Sequence, residues 1–462
     1  MSVGSVTMAA KRENFGGRLA VILAMAGSAI GLGNIWRFPY MVGEHGGAVF
    51  VIVYVLCTLL VSLPVFLAEV MIGRRSHTNA LDAFARLSRQ HPFWKAAGYL
   101  SILIPTLIAS YYSVIGGWSL EYLLKSCTLA FVHTPPEEIS ALFGAFVASP
   151  RLSVLTHLAF LGVSVCVVAG GVKSGIEKFS KITLPALFVL IVVILVYSVS
   201  LPGAGEGVRY LLHPDWKQLT PRTFAYALGQ SFYSLSLGMG CIITYGSYVS
   251  KKENIVATSA GTALSDLLFA ILAGFAIMPA VFAAGIEPGA GPGLIFQSLP
   301  FVFSKMGAEL PVISCIVSVL FFLAIIVAAM TSCISLIEVG AAFLVERAGL
   351  RRSTACWILF ALCGSLGILC SLSFGPLSGL KLFGLGFFDF LDWLCSNVLL
   401  LLMALLAVVF VGFILPRRVT LDEFTSRDRH PGNARIFPVV YFLIKWVAPV
   451  AVAIIFFTNF IL

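Results

Sequence analysis

Four groups of residues in this chain could do chemistry, and all lie within strongly apolar stretches. The first is Gly27-Ser28-Ala29-Ile30-Gly31-Leu32-Gly33-Asn34-Ile35-Trp36-Arg37-Phe38-Pro39. The second is Ser234-Leu235-Ser236-Leu237-Gly238-Met239-Gly240. Asp266 stands in Leu264-Ser265-Asp266-Leu267-Leu268-Phe269 with no basic residue near it, and Thr331-Ser332 falls in another apolar run. In hydrocarbon every backbone N–H and C=O needs a partner, so a broken helix survives only where it is buried in protein or lines a cavity. A helix that unwinds at Gly31-Leu32-Gly33 exposes carbonyls that suit a hard cation. Its half-helix N-terminus suits an anion. Close packing of another helix on the glycines is the competing explanation, but it leaves Asn34 and Arg37 unaccounted for. An intramembrane carboxylate such as Asp266 is costly and points to function; a protonated structural acid is the alternative. Thr331-Ser332 taken alone reads equally as a pair of hydroxyls bonded back to their own helix.

The elements that position these groups follow from composition. The chain is 59% hydrophobic and 11% charged, with a mean hydropathy of +0.99. A soluble protein this apolar has nowhere to put its surface. Runs near or above about 18 apolar residues recur throughout, each long enough to span a bilayer. They predict an all-α integral membrane protein of about eleven spans, at roughly 15–40, 48–72, 94–124, 154–171, 180–201, 223–249, 256–285, 309–346, 352–373, 386–415 and 436–461. No cleavable signal peptide is read at the N-terminus, because the first span is too long.

Basic residues sort onto alternate loops. Lys11, Arg12 and Arg18 precede or open span 1; Arg74, Arg75, Arg86, Arg89 and Lys95 follow span 2. Lys173, Lys178 and Lys181 follow span 4, Lys251 and Lys252 span 6, and Arg347, Arg351 and Arg352 span 8. Arg417, Arg418, Arg427, Arg429 and Arg435 precede span 11. The other loops hold only scattered cations. This bias predicts a cytoplasmic N-terminus and an outer C-terminus. The net charge of +9 is this asymmetry and not a nucleic-acid surface. No CxxC or Cys/His cluster indicates a disulfide framework or a metal site of that type. The absence of any Asn-x-Ser/Thr sequon points to a bacterial inner membrane.

The second interruption lies in span 6, five spans after the first. A five-span shift reverses orientation, so spans 1–5 (about 12–201) and 6–10 (about 223–415) are expected to be inverted repeats, with span 11 (about 436–461) added. Paired glycine-interrupted segments at matching positions of two halves mark a binding site between them.

These motifs, in this order and spacing, resemble the neurotransmitter:sodium symporter family: Gly27 to Pro39, Gly229-Gln230-Ser231-Phe232-Tyr233-Ser234 to Gly240, and Thr331-Ser332. The bacterial amino-acid branch is the most similar, from about Arg12 to the end of span 10. The resemblance implies two inverted five-helix repeats with broken helices 1 and 6, alternating access, and sodium-driven import within one domain, 1–462.

The resemblance also implies where ligands go. One sodium site uses Gly27, Ile30, Ala328, Thr331 and Ser332; the other uses Ala29, Asn34, Ser234 and Asp266. The substrate lies between the breaks. Ala29, Gly31, Leu32, Gly33, Tyr112, Ser234 and Ser332 meet its polar end, Phe232, Tyr233 and Ser236 offer carbonyls or walls, and Ile108, Met239 and Leu336 surround the side chain. Glu69 is read as a brace for orphaned N–H groups, and Glu338 as a further embedded acid. Arg37 with Asp392 resembles an outer gate, and Arg12 with Glu346 an inner one.

Substrate class follows residue by residue. Monoamine-carrying relatives have an aspartate where this chain has Gly31, so an α-amino acid with its own carboxylate is implied. Uncharged walls imply a neutral, hydrophobic one. Relatives that need chloride use it as a fixed negative charge near span 7; Asp266 supplies one here and Ala270 offers no hydroxyl, so chloride independence is expected. A channel needs a continuous polar pore, and an enzyme needs a nucleophile–base pair; neither pattern is present. A proton-coupled amino-acid carrier of the same architecture is the nearest rival.

Overall fold

The computed structural model describes residues 14–135, 138–283, 285 and 295–461. Its architecture is almost wholly helical. Among the described residues nine helices are long and apolar enough to cross a membrane: Ala48–Ser76, Pro92–Cys127, Pro150–Ala169, Val172–Ser200, Ile255–Ala283, Pro311–Ala348, Arg352–Leu372, Phe387–Ile414 and Phe437–Thr458. A bent pair, Arg18–Ala29 with Gly33–Glu44, meets at 54° and makes a tenth. Span 6 is the second interrupted segment, Pro221–Ser234 followed by Cys241–Gly246. Each of its halves is too short to cross alone.

The spans form two groups. Spans 3, 4, 8 and 9 pack on one another, with span 8 crossing span 3. Spans 1, 2, 6 and 7 form the second group, in which the first half of span 1 lies on span 7 and the second half of span 6 lies on span 2. Span 5 packs on spans 7 and 8, and span 10 joins span 2 to span 11. The breaks in spans 1 and 6 therefore face span 3 on one side and span 8 on the other.

Span 5 starts earlier than the apolar run predicts, because Val172–Glu177 winds as a π-helical turn ahead of Lys178–Ser200. The outer segment after span 3 holds two helices, Ala130–His133 and Ile139–Ala148, rather than only loop. Span 6 opens as its sequence dictates: Pro221 fits the first turn, and Thr220 accepts a hydrogen bond from the Thr223 N–H at 3.2 Å. On the side where basic residues gather, the short helix Arg417–Phe424 caps the end of span 2.

Candidate functional site

Span 1 stops helical winding at Ile30, whose ψ of 106° is extended. The freed donors find partners nearby. The Gly31 N–H donates to Asn34 Oδ1 at 3.0 Å, and the Leu32 N–H donates to the Tyr112 hydroxyl at 3.2 Å. The Gly33 carbonyl accepts from the Gln230 amide at 2.8 Å, which ties the first break to span 6. Glycine is required at position 31. A Cβ there would lie 2.9 Å from the Tyr112 hydroxyl and closer still to Ser332 Oγ.

The second break runs from Leu235 to Gly240, with Ser236, Gly238 and Gly240 at φ of 54°, 75° and 70°. Its polar groups reach across to span 1 and span 2. The Ser236 hydroxyl donates to the Ser28 carbonyl at 2.8 Å, and the Gly238 N–H donates to Glu69 Oε1 at 2.8 Å. Glu69, fully buried in span 2, thus braces the second break as expected of it. Glu338 is not a lone acid: it pairs with Arg352 and accepts from the Tyr248 hydroxyl at 2.6 Å.

Between the breaks lies a cavity lined by Ser28, Ala29, Gly31, Gly33, Ile108, Tyr112, Tyr233, Ser236, Met239, Ser332 and Leu336. Its polar groups come from the two breaks and from Tyr112 and Ser332 of the unbroken spans 3 and 8, and its apolar groups from spans 1, 3, 6 and 8. Two residues expected at this cavity face elsewhere. Leu32 is buried, and its N–H donates to the Tyr112 hydroxyl that lines the cavity. Phe232 lines a separate crevice with Arg37, Ala225 and Leu401. Ser234 turns toward Asp266.

Two oxygen-rich clusters flank the cavity. In one, Asn34, Ser234 and Asp266 are all buried. The Asn34 amide nitrogen donates to Ser234 Oγ at 2.9 Å and to Asp266 Oδ1 at 2.8 Å, while Ser234 Oγ donates to both Asp266 oxygens at 2.8 Å. Ala29 is close by on the cavity wall. In the other, Thr331 Oγ1 donates to the Ile30 carbonyl at 3.2 Å and to the Ala328 carbonyl at 2.9 Å. Gly27 faces this group, since a Cβ there would lie 3.6 Å from the Thr331 Cβ. The Ser332 hydroxyl donates instead to the Ser28 carbonyl at 3.2 Å, on the cavity side. Carbonyls and hydroxyls around one buried point are the donor set a hard monovalent cation takes.

Comparison with known proteins gives this geometry a family. The model of the sodium:neurotransmitter symporter family matches residues 12–136 and 147–462. The chain belongs to that family. An uncharacterized sodium-dependent transporter, YhdH of Bacillus subtilis (strain 168), is 37% identical over 448 residues, covering 96% of this chain and 97% of that protein. An uncharacterized sodium-dependent transporter of Haemophilus influenzae is 34% identical over 459 residues, covering 97% and 98%. The crystal structure of MhsT in complex with L-phenylalanine is 39% identical and superposes with a TM-score of 0.88, covering 97% of this chain and all of that one. The chain is thus a multi-pass membrane symporter of the sodium-coupled family, and not an enzyme.

The expected gates stand differently. Arg37 and Asp392 are half-buried on the same side of the breaks, but they form no direct ion pair. Arg37 lies over the Tyr233 ring at 4.8 Å from its centroid, and Asp392 accepts from the Ser396 hydroxyl at 3.2 Å. Each still feels the other's opposite charge. Arg12 lies outside the described residues, so the inner pair has one visible member. Glu346 accepts from the Asn79 backbone N–H at 2.9 Å and its side-chain amide at 3.1 Å.

Sequence reasoning missed Ser28 in the cavity wall and the cluster that locks span 2 to the helix Arg417–Phe424. Arg74 is almost fully buried and pairs with Glu423, which also takes Lys251 at 3.2 Å. Burial alone raises the Glu423 carboxyl, but the charges of Arg74 and Lys251 outweigh it and hold it below the ordinary value. Burial pushes the Lys251 amine down despite Glu423.

Proposed function

We propose that the protein imports neutral, hydrophobic L-amino acids with two sodium ions per cycle, by alternating access, without chloride. It works in a bacterial inner membrane with its N-terminus in the cytoplasm and its C-terminus outside. The inverted repeats run from about 12 to 201 and 223 to 415, with the last span accessory.

The observation that carries this reading is the cavity at the junction of the two breaks. At one end, Leu32 N–H and the Tyr112 hydroxyl hydrogen-bond each other at 3.2 Å. An entering carboxylate takes both: the N–H donates to one oxygen, and the hydroxyl turns its proton to the other. At the other end stand Ile108, Tyr233, Met239 and Leu336, with no charge among them. A charged side chain there is buried without a partner, which costs several kcal/mol. Met239 is unbranched and adapts its rotamer, so side chains of several shapes fit. The phenylalanine in MhsT agrees with such a pocket. Asp266 supplies the fixed negative charge beside the first cation, so no anion is needed. Thr331 with the Ile30 and Ala328 carbonyls serves the second.

A thermal-stability panel of amino acids, with and without sodium, tests the reading. Leucine, isoleucine, methionine, phenylalanine and tryptophan are expected to stabilise the purified protein only in sodium. Stabilisation by glutamate or lysine and by none of these five contradicts it.

A further inference from the structure

The last two spans carry charges that the transport site does not use. Lys445 lies about eight residues into the span Phe437–Thr458, about 12 Å along its axis at the helical rise. It falls in a π-helical turn, Leu443–Val447, which packs on a second π-helical turn, Phe410–Ile414, of span 10. Such turns often mark functional sites. The stem of Lys445 lies directly on span 10, since a Cβ at position 412 would come 3.0 Å from the Lys445 Cα.

Three rings surround the ammonium: Phe413 at 4.9 Å, Trp446 at 5.6 Å and Tyr441 at 5.9 Å. Arg417, at the end of span 10, lies over the same Tyr441 ring at 5.8 Å and over Phe437 at 6.0 Å. Both cations thus lie within 6 Å of the Tyr441 ring, whose hydroxyl donates to the Gly412 carbonyl at 3.0 Å. Among the described residues neither cation has an acidic partner, whereas Arg74, Arg75, Arg347 and Arg352 each have one. Below this pair of charges runs an exposed apolar stripe at helical spacing, Phe442, Trp446, Val450 and Ile454, each more than half exposed.

Cations within a membrane segment pair, snorkel to the interface, or mark a ligand path. Basic pockets between spans on the cytoplasmic side bind anionic lipid headgroups, and aromatic side chains gather at headgroup level. We propose that Lys445 and Arg417, with the rim of Tyr441 and Trp446, bind the headgroup phosphate of an anionic phospholipid whose acyl chain lies along the stripe from Phe442 to Ile454. The site rests on the membrane reading of the chain and is independent of the substrate. It clamps span 11 to span 10, so its occupancy stabilises the folded protein.

The test uses the purified full chain in mild detergent with added phosphatidylglycerol, phosphatidylcholine or inorganic phosphate, read by thermal stability. Phosphatidylglycerol is expected to raise the midpoint by more than phosphatidylcholine, and inorganic phosphate to leave it unchanged. Lys445→Gln combined with Arg417→Gln should lose most of that difference. Arg429→Gln, the loss of one positive charge at an exposed loop position, should keep it. An undiminished phosphatidylglycerol effect in the double variant overturns the proposal, as does an equal loss in Arg429→Gln. An equal response to inorganic phosphate overturns the lipid assignment. Where the double variant does not fold, native mass spectrometry of the wild-type chain decides: phosphatidylglycerol retained in an excess of phosphatidylcholine supports the site, and no such retention refutes it.

Discussion

The Asn34 amide nitrogen and the Asp266 carboxylate stand 2.8 Å apart, joining the second half of span 1 to span 7. Ser234 bonds the same carboxylate from span 6. Three spans thus meet on one carboxylate, which no cationic side chain among the described residues pairs with. Asp266→Asn keeps the shape and removes the charge. Sodium affinity, read from substrate binding against sodium concentration, should fall by about tenfold or more, on the order of 1.4 kcal/mol. The native protein should keep its uptake when gluconate replaces chloride, while Asp266→Asn should lose activity or become anion-dependent.

The proposed second cation site rests on Thr331. Thr331→Ala removes the hydroxyl that bridges the Ile30 and Ala328 carbonyls. The sodium dependence of binding should shift to higher concentration while the saturating substrate response survives. Ser332→Ala, whose hydroxyl faces the cavity through Ser28, should weaken substrate and sodium binding together.

Gly31→Asp tests how the substrate is oriented. Any side chain at this position enters the cavity against Tyr112 and Ser332, and a carboxylate there repels the substrate's own. Amino-acid binding should be lost in an equilibrium binding assay. In the native protein, tryptamine should fail to compete where tryptophan competes; equal competition means that the carboxylate is not read.

The Arg74–Glu423–Lys251 cluster makes a pH prediction. A carboxyl held below its ordinary value stabilises the fold at pH above that value, and the contribution is lost as pH falls through the lower one. The difference in thermal stability between the native chain and Glu423→Gln should therefore shrink in acid. Arg74→Ala, which leaves the buried carboxylate only Lys251 at 3.2 Å and Arg75 at 3.6 Å, should cost about 3–5 kcal/mol.

The breaks were legible because glycines, an amide and hydroxyls are conspicuous in an apolar run. Asp266 and Asn34 were legible for the same reason, as groups the membrane does not tolerate without a use, whereas Tyr112 was indicated only by the family resemblance. Ser28 was not, because a lone serine in a helix is ordinarily bonded back to it. The orientation of Phe232 and Ser234 was not either: they lie in the last turn of the helix Pro221–Ser234, and the residue spacing does not fix which neighbours that turn faces. Arg74 read only as one more cytoplasmic charge, since its partner Glu423 is remote in sequence and sits on a short polar helix with no apolar period to announce it. Arg37 was expected near Asp392, whose charge it feels, but its contact with Tyr233 depends on packing that spacing does not encode.

Coupling to sodium is the central claim, and gradient-driven uptake in proteoliposomes tests it most directly. An inward sodium gradient should drive accumulation of labelled leucine or phenylalanine above equilibrium, and replacing external sodium with choline should abolish it. Equal accumulation in choline under an inward proton gradient would contradict the account.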